Sequence, residues 1–189
     1  MCAASAARFF YFHFERNYIM SSCAFFGNSK DKDMSLITLK VVYQVLEHLV
    51  EENGVKLFYT TSRTDFDSVC ETAVEVLKRK YHDIQLIKIA KTKDEAQSED
   101  PAYDDVLYFR GKNFRQRYML TSKLAKYIVV DTDIPRGDRD TLFDDILYVN
   151  RNRMDEVEIL ILERLVEKRK RELKRKRPIK VKKRVDPQV

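Results

Sequence analysis

The stretch Thr60-Thr61-Ser62-Arg63-Thr64-Asp65-Phe66-Asp67 joins an apolar run to an amphipathic one. Strand–turn–helix junctions of this kind hold phosphate when backbone N–H groups lie open at the start of the helix. Glycines normally let the ligand come close, and this turn has none. Thr60, Thr61, Ser62 and Thr64 offer hydroxyl donors instead, and Arg63 a two-pronged guanidinium. Asp65 and Asp67 oppose an anion at the same place. Asp65 reads as the N-cap of the helix. Asp67 either accepts from a ribose hydroxyl or stabilises the helix dipole with no ligand present. Phe66 either stacks on a base or staples the helix start into the core.

Other candidate groups are sparser. Arg115 and Arg117 stand two apart on a helical pattern, so at most one faces a common site; both also fit a solvated helix face. No Ser-His-Asp or Cys-His arrangement is present, and no catalytic residue is assigned. The adjacent pairs Asp104-Asp105 and Asp144-Asp145 read as solvent-facing carboxylates. Cys2, Cys23 and Cys70 show no paired spacing, and His13, His48 and His82 are isolated. Neither a disulfide framework nor a metal site is expected. Cys70 reads as a buried thiol, and reduced thiols fit the cytoplasm.

The elements that must position these residues follow from periodicity. Apolar runs at 23–27, 55–61, 84–90, 127–131 and 146–150 predict five strands, with 105–109 a short strand or a packed stretch. Helical spacing predicts helices over 35–53, with Leu36, Leu39, Val42, Leu46, Leu49 and Val50 inward, and over 66–81, with Val69, Ala73, Val76 and Leu77 inward. A third helix is expected over 113–125, with Phe114, Tyr118, Met119 and Leu124 inward. A last helix is expected from near Met154 until Pro178. Residues 91–105 read as a loop. Asn53-Gly54 is a helix stop. Alternating strands and helices predict an α/β fold, a three-layer Rossmann-like domain with a mostly parallel sheet of about five strands. Ligands in such sheets sit beyond the carboxyl ends of the strands. The expected site therefore gathers Gly27, Asn28, Ser29 and Lys30 after the first strand, Thr61 to Asp67 after the second, and Asp131 to Arg139 after the strand at 127–131.

Of 189 residues, 44% are hydrophobic, enough for one core, and four are glycine. The net charge of +6 is unevenly spread. Residues 164–189 hold thirteen Lys/Arg against three acids, which leaves the remainder acidic. The basic tail, with Lys168, Arg169, Lys170, Arg171, Lys174, Arg175, Lys176 and Arg177, reads either as a phosphate-backbone footprint for nucleic acid or as a solubilising extension. No aromatic residue interrupts it, so base stacking is not implied. Ile179, Val181 and Val185 are too few for a membrane anchor. The run Phe9–Phe14 is too short to span a membrane. Residues 1–20 read as a leader or a disordered tail, or as an aromatic segment docking on the domain. The Rossmann-like domain then covers 21–165 and a basic helical extension 166–189.

An ordered series of motifs carries a family resemblance. Phe25-Phe26-Gly27-Asn28, Gly54-Val55-Lys56-Leu57-Phe58, Phe66-Asp67, "VLKRKYHDIQL" (76–86) and "NFRQRYMLTSKLAKYIVVD" (113–131) follow one another. Over roughly 22–150 the chain resembles the SLOG superfamily, Rossmann-like relatives of the LOG phosphoribohydrolases and the DprA/Smf proteins. The resemblance implies a nucleotide, or a nucleotide-derived ligand such as a nucleotide sugar, held at the strand ends. It departs from the pattern where glycines are expected: Thr61 and Thr64 stand in the turn. "IPRGDRDTLFDD" (134–145) echoes the phosphate-binding element of the LOG enzymes only through Pro135, Gly137 and Thr141. LOG-type nucleotide N-glycosidase activity is accordingly not expected, and a sensor or binding role without turnover is.

Overall fold

A computed structural model of the chain describes residues 21–27, 36–61, 64–97, 100–131 and 141–175, with only the backbone described at 114, 141–145, 163 and 174. The elements run β1 (Ser22–Gly27), α1 (Leu36–Asn53), β2 (Leu57–Thr60), α2 (Asp65–Lys78), β3 (Gln85–Ala90), α3 (Lys93–Gln97), β4 (Asp105–Tyr108), α4 (Phe114–Leu124), β5 (Tyr127–Asp131), α5 (Thr141–Asn150), β6 (Glu158–Ile161) and α6 (Leu162–Arg175). A short 3-10 turn, Arg151–Arg153, follows α5.

The strands form one parallel sheet in the order β4-β3-β2-β1-β5-β6. The chain winds outward from β1 to β4, then crosses back to lay β5 on the other side of β1. That reversal is the switch point of a doubly wound α/β sheet, and a crevice for ligands opens beside it in such folds. The Rossmann-like architecture is thus present, with six strands rather than about five.

Both faces of the sheet are covered, which is why β1 and β5 are buried along their whole length. Side chains alternate between two cores. Cys23, Phe25, Phe58, Leu86, Tyr127 and Val129 point to one side, where Val42 and Leu46 of α1, Phe66 and Leu77 of α2, and Leu162 of α6 meet them. Ala24, Phe26, Ile87, Ile89, Ile128 and Val130 point to the other, against Tyr118 of α4 and Ile146 of α5. Gly54 closes α1 as expected, at φ 65°, a left-handed conformation that glycine adopts without strain. The N–H of Val55 then turns back to the carbonyl of Leu49 at 3.0 Å.

Several expectations need correction. Residues 146–150 are the second half of helix α5, not a strand. A short apolar run fits either state, and the parallel pairing of β5 with β6 demands a crossover between them, which α5 supplies. Its burial follows a helical rhythm: Ile146 and Asn150 are buried while Tyr148 is 62% exposed. The sixth strand is Glu158–Ile161, inside the stretch expected to begin the last helix, so that helix starts at Leu162 rather than near Met154. Residues 91–105 are not all loop, since Lys93–Gln97 form α3. Leu36 and Val76, expected inward, are exposed, and Val41 is buried instead.

Two polar groups lock α5 onto α4. Asn150, fully buried, donates from Nδ2 to the Ser122 hydroxyl (3.1 Å) and to the Ile146 carbonyl (2.9 Å). Arg153 Nη1 donates to the Lys123 carbonyl at 2.6 Å, satisfying a group left open at the end of α4. The helical state of 146–150 is testable by unfolding in urea. Tyr148→Lys is expected to change stability by no more than about 0.5 kcal/mol, and Ile146→Ala to cost about 2–5 kcal/mol. Equal losses at both positions would mean that the two side chains share a buried face.

Candidate functional site

The carboxyl ends of β1, β2 and β5 are adjacent. Gly27 pairs with Asp131 across the switch point. Thr60 ends β2 beside β1, and the turn from it leads into α2. The first turn of α2 rests directly on Gly27. A Cβ placed on Gly27 would lie 2.7 Å from Phe66 Cβ, 2.9 Å from Phe66 Cδ1 and 2.9 Å from Thr64 Oγ1. Such distances are not sustained by real side chains, so the hydrogen at position 27 is what lets helix and strand meet. Gly27 thus serves helix–sheet packing. Phe66 is wholly buried in this contact and belongs to the core, as a staple does, so its ring is not offered to a base.

Thr64, not Asp65, is the N-cap of α2. Its hydroxyl accepts from the Asp67 N–H at 3.1 Å, and Asp67 Oδ2 accepts from the Thr64 N–H at 3.2 Å. This is a capping box with Asp in the third helical position. It displaces Asp65 from the cap to the first helical residue, where its side chain is exposed. Asp67 is completely buried. Its Oδ2 also accepts from the Thr61 hydroxyl at 2.9 Å, and Thr61 Oγ1 lies 3.0 Å from the Tyr118 hydroxyl. Having given its single proton to Asp67, Thr61 accepts from Tyr118. A relay therefore runs from α4 through the end of β2 to the start of α2. Tyr118 is anchored for this by its ring, which packs at 5.1 Å against that of Phe26 in β1.

The site is acidic. Asp131 is 4% exposed and Asp67 has no exposure. One oxygen of each, Asp131 Oδ2 and Asp67 Oδ1, is buried without a hydrogen bond among the described residues, although both side chains have other interactions. Both carboxylates act on Cys70 in α2. Burial, first, and then the negative charge of Asp67, with smaller effects from Cys23, Glu71 and Asp131, push the Cys70 thiol well above its ordinary range. Burial likewise raises Cys23, against a smaller lowering by the Val129 backbone. Neither thiol has the character of a nucleophile. Thr60 Oγ1 donates to Glu71 Oε1 at 2.8 Å, adding a third carboxylate nearby.

The described cations near the carboxyl edge are engaged elsewhere. Arg117 is buried, and its Nη1 donates to the Lys91 carbonyl (2.9 Å) and the Lys112 carbonyl (3.3 Å), tying the end of β3 to the start of α4. Arg115 is exposed and has its own interaction. Lys88 on β3 lies 3.2 Å from Glu95 and 3.7 Å from Asp100. Desolvation lowers its pKa, but Glu95, Tyr103 and Asp100 outweigh that and the net shift is upward. Periodicity identified neither Arg117 nor Lys88 as structural ties. The signal available for Arg117 was only its inward phase with Tyr118 on the same helix.

Of the expected ligand residues, Gly27, Thr61, Asp67 and Asp131 come together here with Phe66 beneath them. Asn28, Ser29, Lys30, Ser62, Arg63 and residues 132–140 lie outside the described residues, as do 1–20 and the tail positions Lys176 and Arg177; the side chain of Lys174 is not described. No group of three or more metal-binding side chains occurs among the described residues, and no described helix is long and apolar enough to cross a membrane. A groove of about 380 Å³ lies on the other side of the domain's midline, toward the amino ends of the strands. His48 and Asn53 of α1, Glu158 and Leu160 of β6, and Lys168 of α6 line it.

No protein-family model matches the sequence, and no curated protein matches it. Among solved structures, the chain is similar to TM1055, a Northeast Structural Genomics Consortium target, at 13% identity and a TM-score of 0.47, over 80% of this chain and 99% of that one. It is also similar to the Moco carrier protein from Chlamydomonas reinhardtii, at 12% identity and a TM-score of 0.40, over 82% and 98% respectively. The fold assignment rests on the strand order of this chain.

The Gly27 contact gives a direct test. Gly27→Ala is expected to lower the unfolding free energy by about 1–3 kcal/mol, the usual cost of overpacking. In a double-mutant cycle with Phe66→Ala, which withdraws the ring carbon 2.9 Å from such a methyl while the Cβ at 2.7 Å stays, the two losses should be non-additive. Additive losses would show that the Phe66 ring is not what the methyl meets.

Proposed function

We propose that this chain is a binding module for a small nucleotide-derived ligand, seated at the carboxyl ends of β1, β2 and β5, without turnover. The observation that carries the reading is the register that pairs Gly27 with Asp131 at the switch point, with the start of α2 lying on Gly27. It gathers a buried carboxylate from β5 and another from α2 beside a hydroxyl relay, where doubly wound sheets take their ligands. The motif series between residues 22 and 150 that resembles the SLOG superfamily supports the same class of ligand.

The chemistry of the site narrows how that ligand sits. At the start of α2 the Thr64 and Asp67 N–H groups are occupied by the capping box. Asp65 and Asp67 add negative charge there. A phosphate at this helix start would meet two carboxylates and few open donors. The end of the ligand that donates hydrogen bonds, its ribose hydroxyls or an amino-bearing base edge, therefore faces the Asp131 side of the junction, with Asp67 contributing its negative charge from beneath, and the phosphate points away from α2.

Thermal unfolding with a panel of nucleosides, nucleotides and nucleotide sugars tests this. A ligand at 100 times its Kd is expected to stabilise the protein by about 2.7 kcal/mol. Asp131→Asn should remove that gain while leaving the unliganded protein folded. The reading fails if no member of the panel raises the Tm, or if the rise survives Asp131→Asn. Incubation with nucleoside monophosphates is expected to release no free base; release would make the site catalytic.

A further inference from the structure

Helix α6 divides its cations into two sets that the sequence alone does not separate. Lys170 Nζ pairs with Glu167 Oε1 at 3.0 Å, and Arg169 Nη1 with Glu172 Oε2 at 3.1 Å. Both cations are half-buried. Arg164, Lys168, Arg171 and Arg175 are exposed and take part in no ion pair among the described residues. Their spacing of four, three and four residues sets all four within an arc of about 60° on a helix of 3.6 residues per turn. Leu162 and Val166 occupy the opposite side and are buried against the core, with Leu165 partly so. Glu167 and Glu172 flank these four cations on the same helix. Both acids are neutralised by their own partners on the helix.

We propose that the exposed face of α6, through Arg164, Lys168, Arg171 and Arg175, binds the phosphate backbone of a nucleic-acid duplex. The argument is charge complementarity at matching length. Eleven residues of helix span about 16 Å. That is the axial rise of about five phosphates on one strand, at about 3.4 Å each. Leu162, Leu165 and Val166 hold the first half of the helix on the core, and the four cations continue from that base along one line of charge. No described residue of α6 is aromatic, so the face has nothing to stack on an unpaired base, which favours a duplex over a single strand. A membrane surface fits less well: the face between the cations carries acids rather than large apolar groups, and Leu173, the exposed apolar residue of α6, lies on the opposite side. α6 starts at the carboxyl edge, after Ile161 pairs with Val130, and runs back toward the amino ends of the strands, where Lys168 lines the groove between α1 and β6; none of the four cations is among the residues placed at the Gly27–Asp131 junction. The two readings stand or fall separately.

Fluorescence anisotropy of the full chain with a labelled 20-base-pair duplex, over a KCl series, tests the proposal. The variant with Arg164, Lys168, Arg171 and Arg175 all changed to Gln keeps helix-forming residues at exposed positions, and circular dichroism confirms its fold. Neutralising four phosphate contacts is expected to flatten the plot of log K against log salt by about 3–4. Between 50 and 200 mM KCl the wild type should then weaken by roughly 150-fold more than the variant. The double variant Arg169→Gln/Lys170→Gln removes charges that are already paired, and should change the slope by less than about one. DNA and RNA duplexes of equal length are expected to bind within a few-fold of one another, since only phosphates are met. The proposal is overturned if the four-site variant binds like the wild type, if each paired cation matters as much as each unpaired one, if only single strands bind, or if anionic phosphatidylserine vesicles bind and duplexes do not.

Discussion

The close approach of α2 to β1 at Gly27 governs the geometry of the whole carboxyl edge. Phe66 and Thr64 occupy the space where any other residue would carry a Cβ. With that space filled by the helix, Thr64 lies where it can cap, Asp67 is drawn beneath the surface, and Phe66 seals the core under both. Glycine in nucleotide-binding turns has two uses, close passage of a ligand and close passage of the chain itself. Here the scarce glycine at the end of β1 serves the second. The turn after β2 therefore has no need of glycines for packing, and its hydroxyls are free to build a hydrogen-bonded junction.

That junction also answers the question raised by a phosphate-like turn with two acids in it. A carboxylate at the start of a helix satisfies open N–H groups and the dipole at once. Asp67 does so while Thr61 and Tyr118 supply further hydrogen bonding to its side. Burying a charge is costly unless donors surround it, and the capping box with the relay furnishes them. The result is an edge with the polarity opposite to a phosphate cradle.

Much of the fold was legible because strands buried on both faces and amphipathic helices leave distinct periods. The runs at 22–27, 57–60, 85–90 and 127–131 and the helices α1, α2 and α4 follow from that difference. The errors fall where periods are short or mixed. Residues 146–150 are apolar and β-prone, but the connection between two parallel neighbours decided their state. Glu158–Ile161 carries leucine and isoleucine beside acids and reads as helix until it is set against β5. In the site, Thr64-Asp65-Phe66-Asp67 did contain the capping-box spacing, with Asp in place of Glu; that signal was present and pointed to Thr64. The Gly27 contact and the Tyr118–Thr61 link were not legible, since each joins residues far apart in the chain through packing. Asn150 and Arg117 belong to the same class, buried polar groups whose partners are backbone carbonyls and a hydroxyl from other elements.

Cys23 and Cys70 sit in one core cluster, on β1 and α2, on the two sides of the Gly27 junction. Their thiols are held protonated and out of reach of solvent. The chain thus carries an internal clock: a thiol reagent can modify either of these two positions only during excursions that open the core they share, and the rate of modification reads the frequency of those excursions.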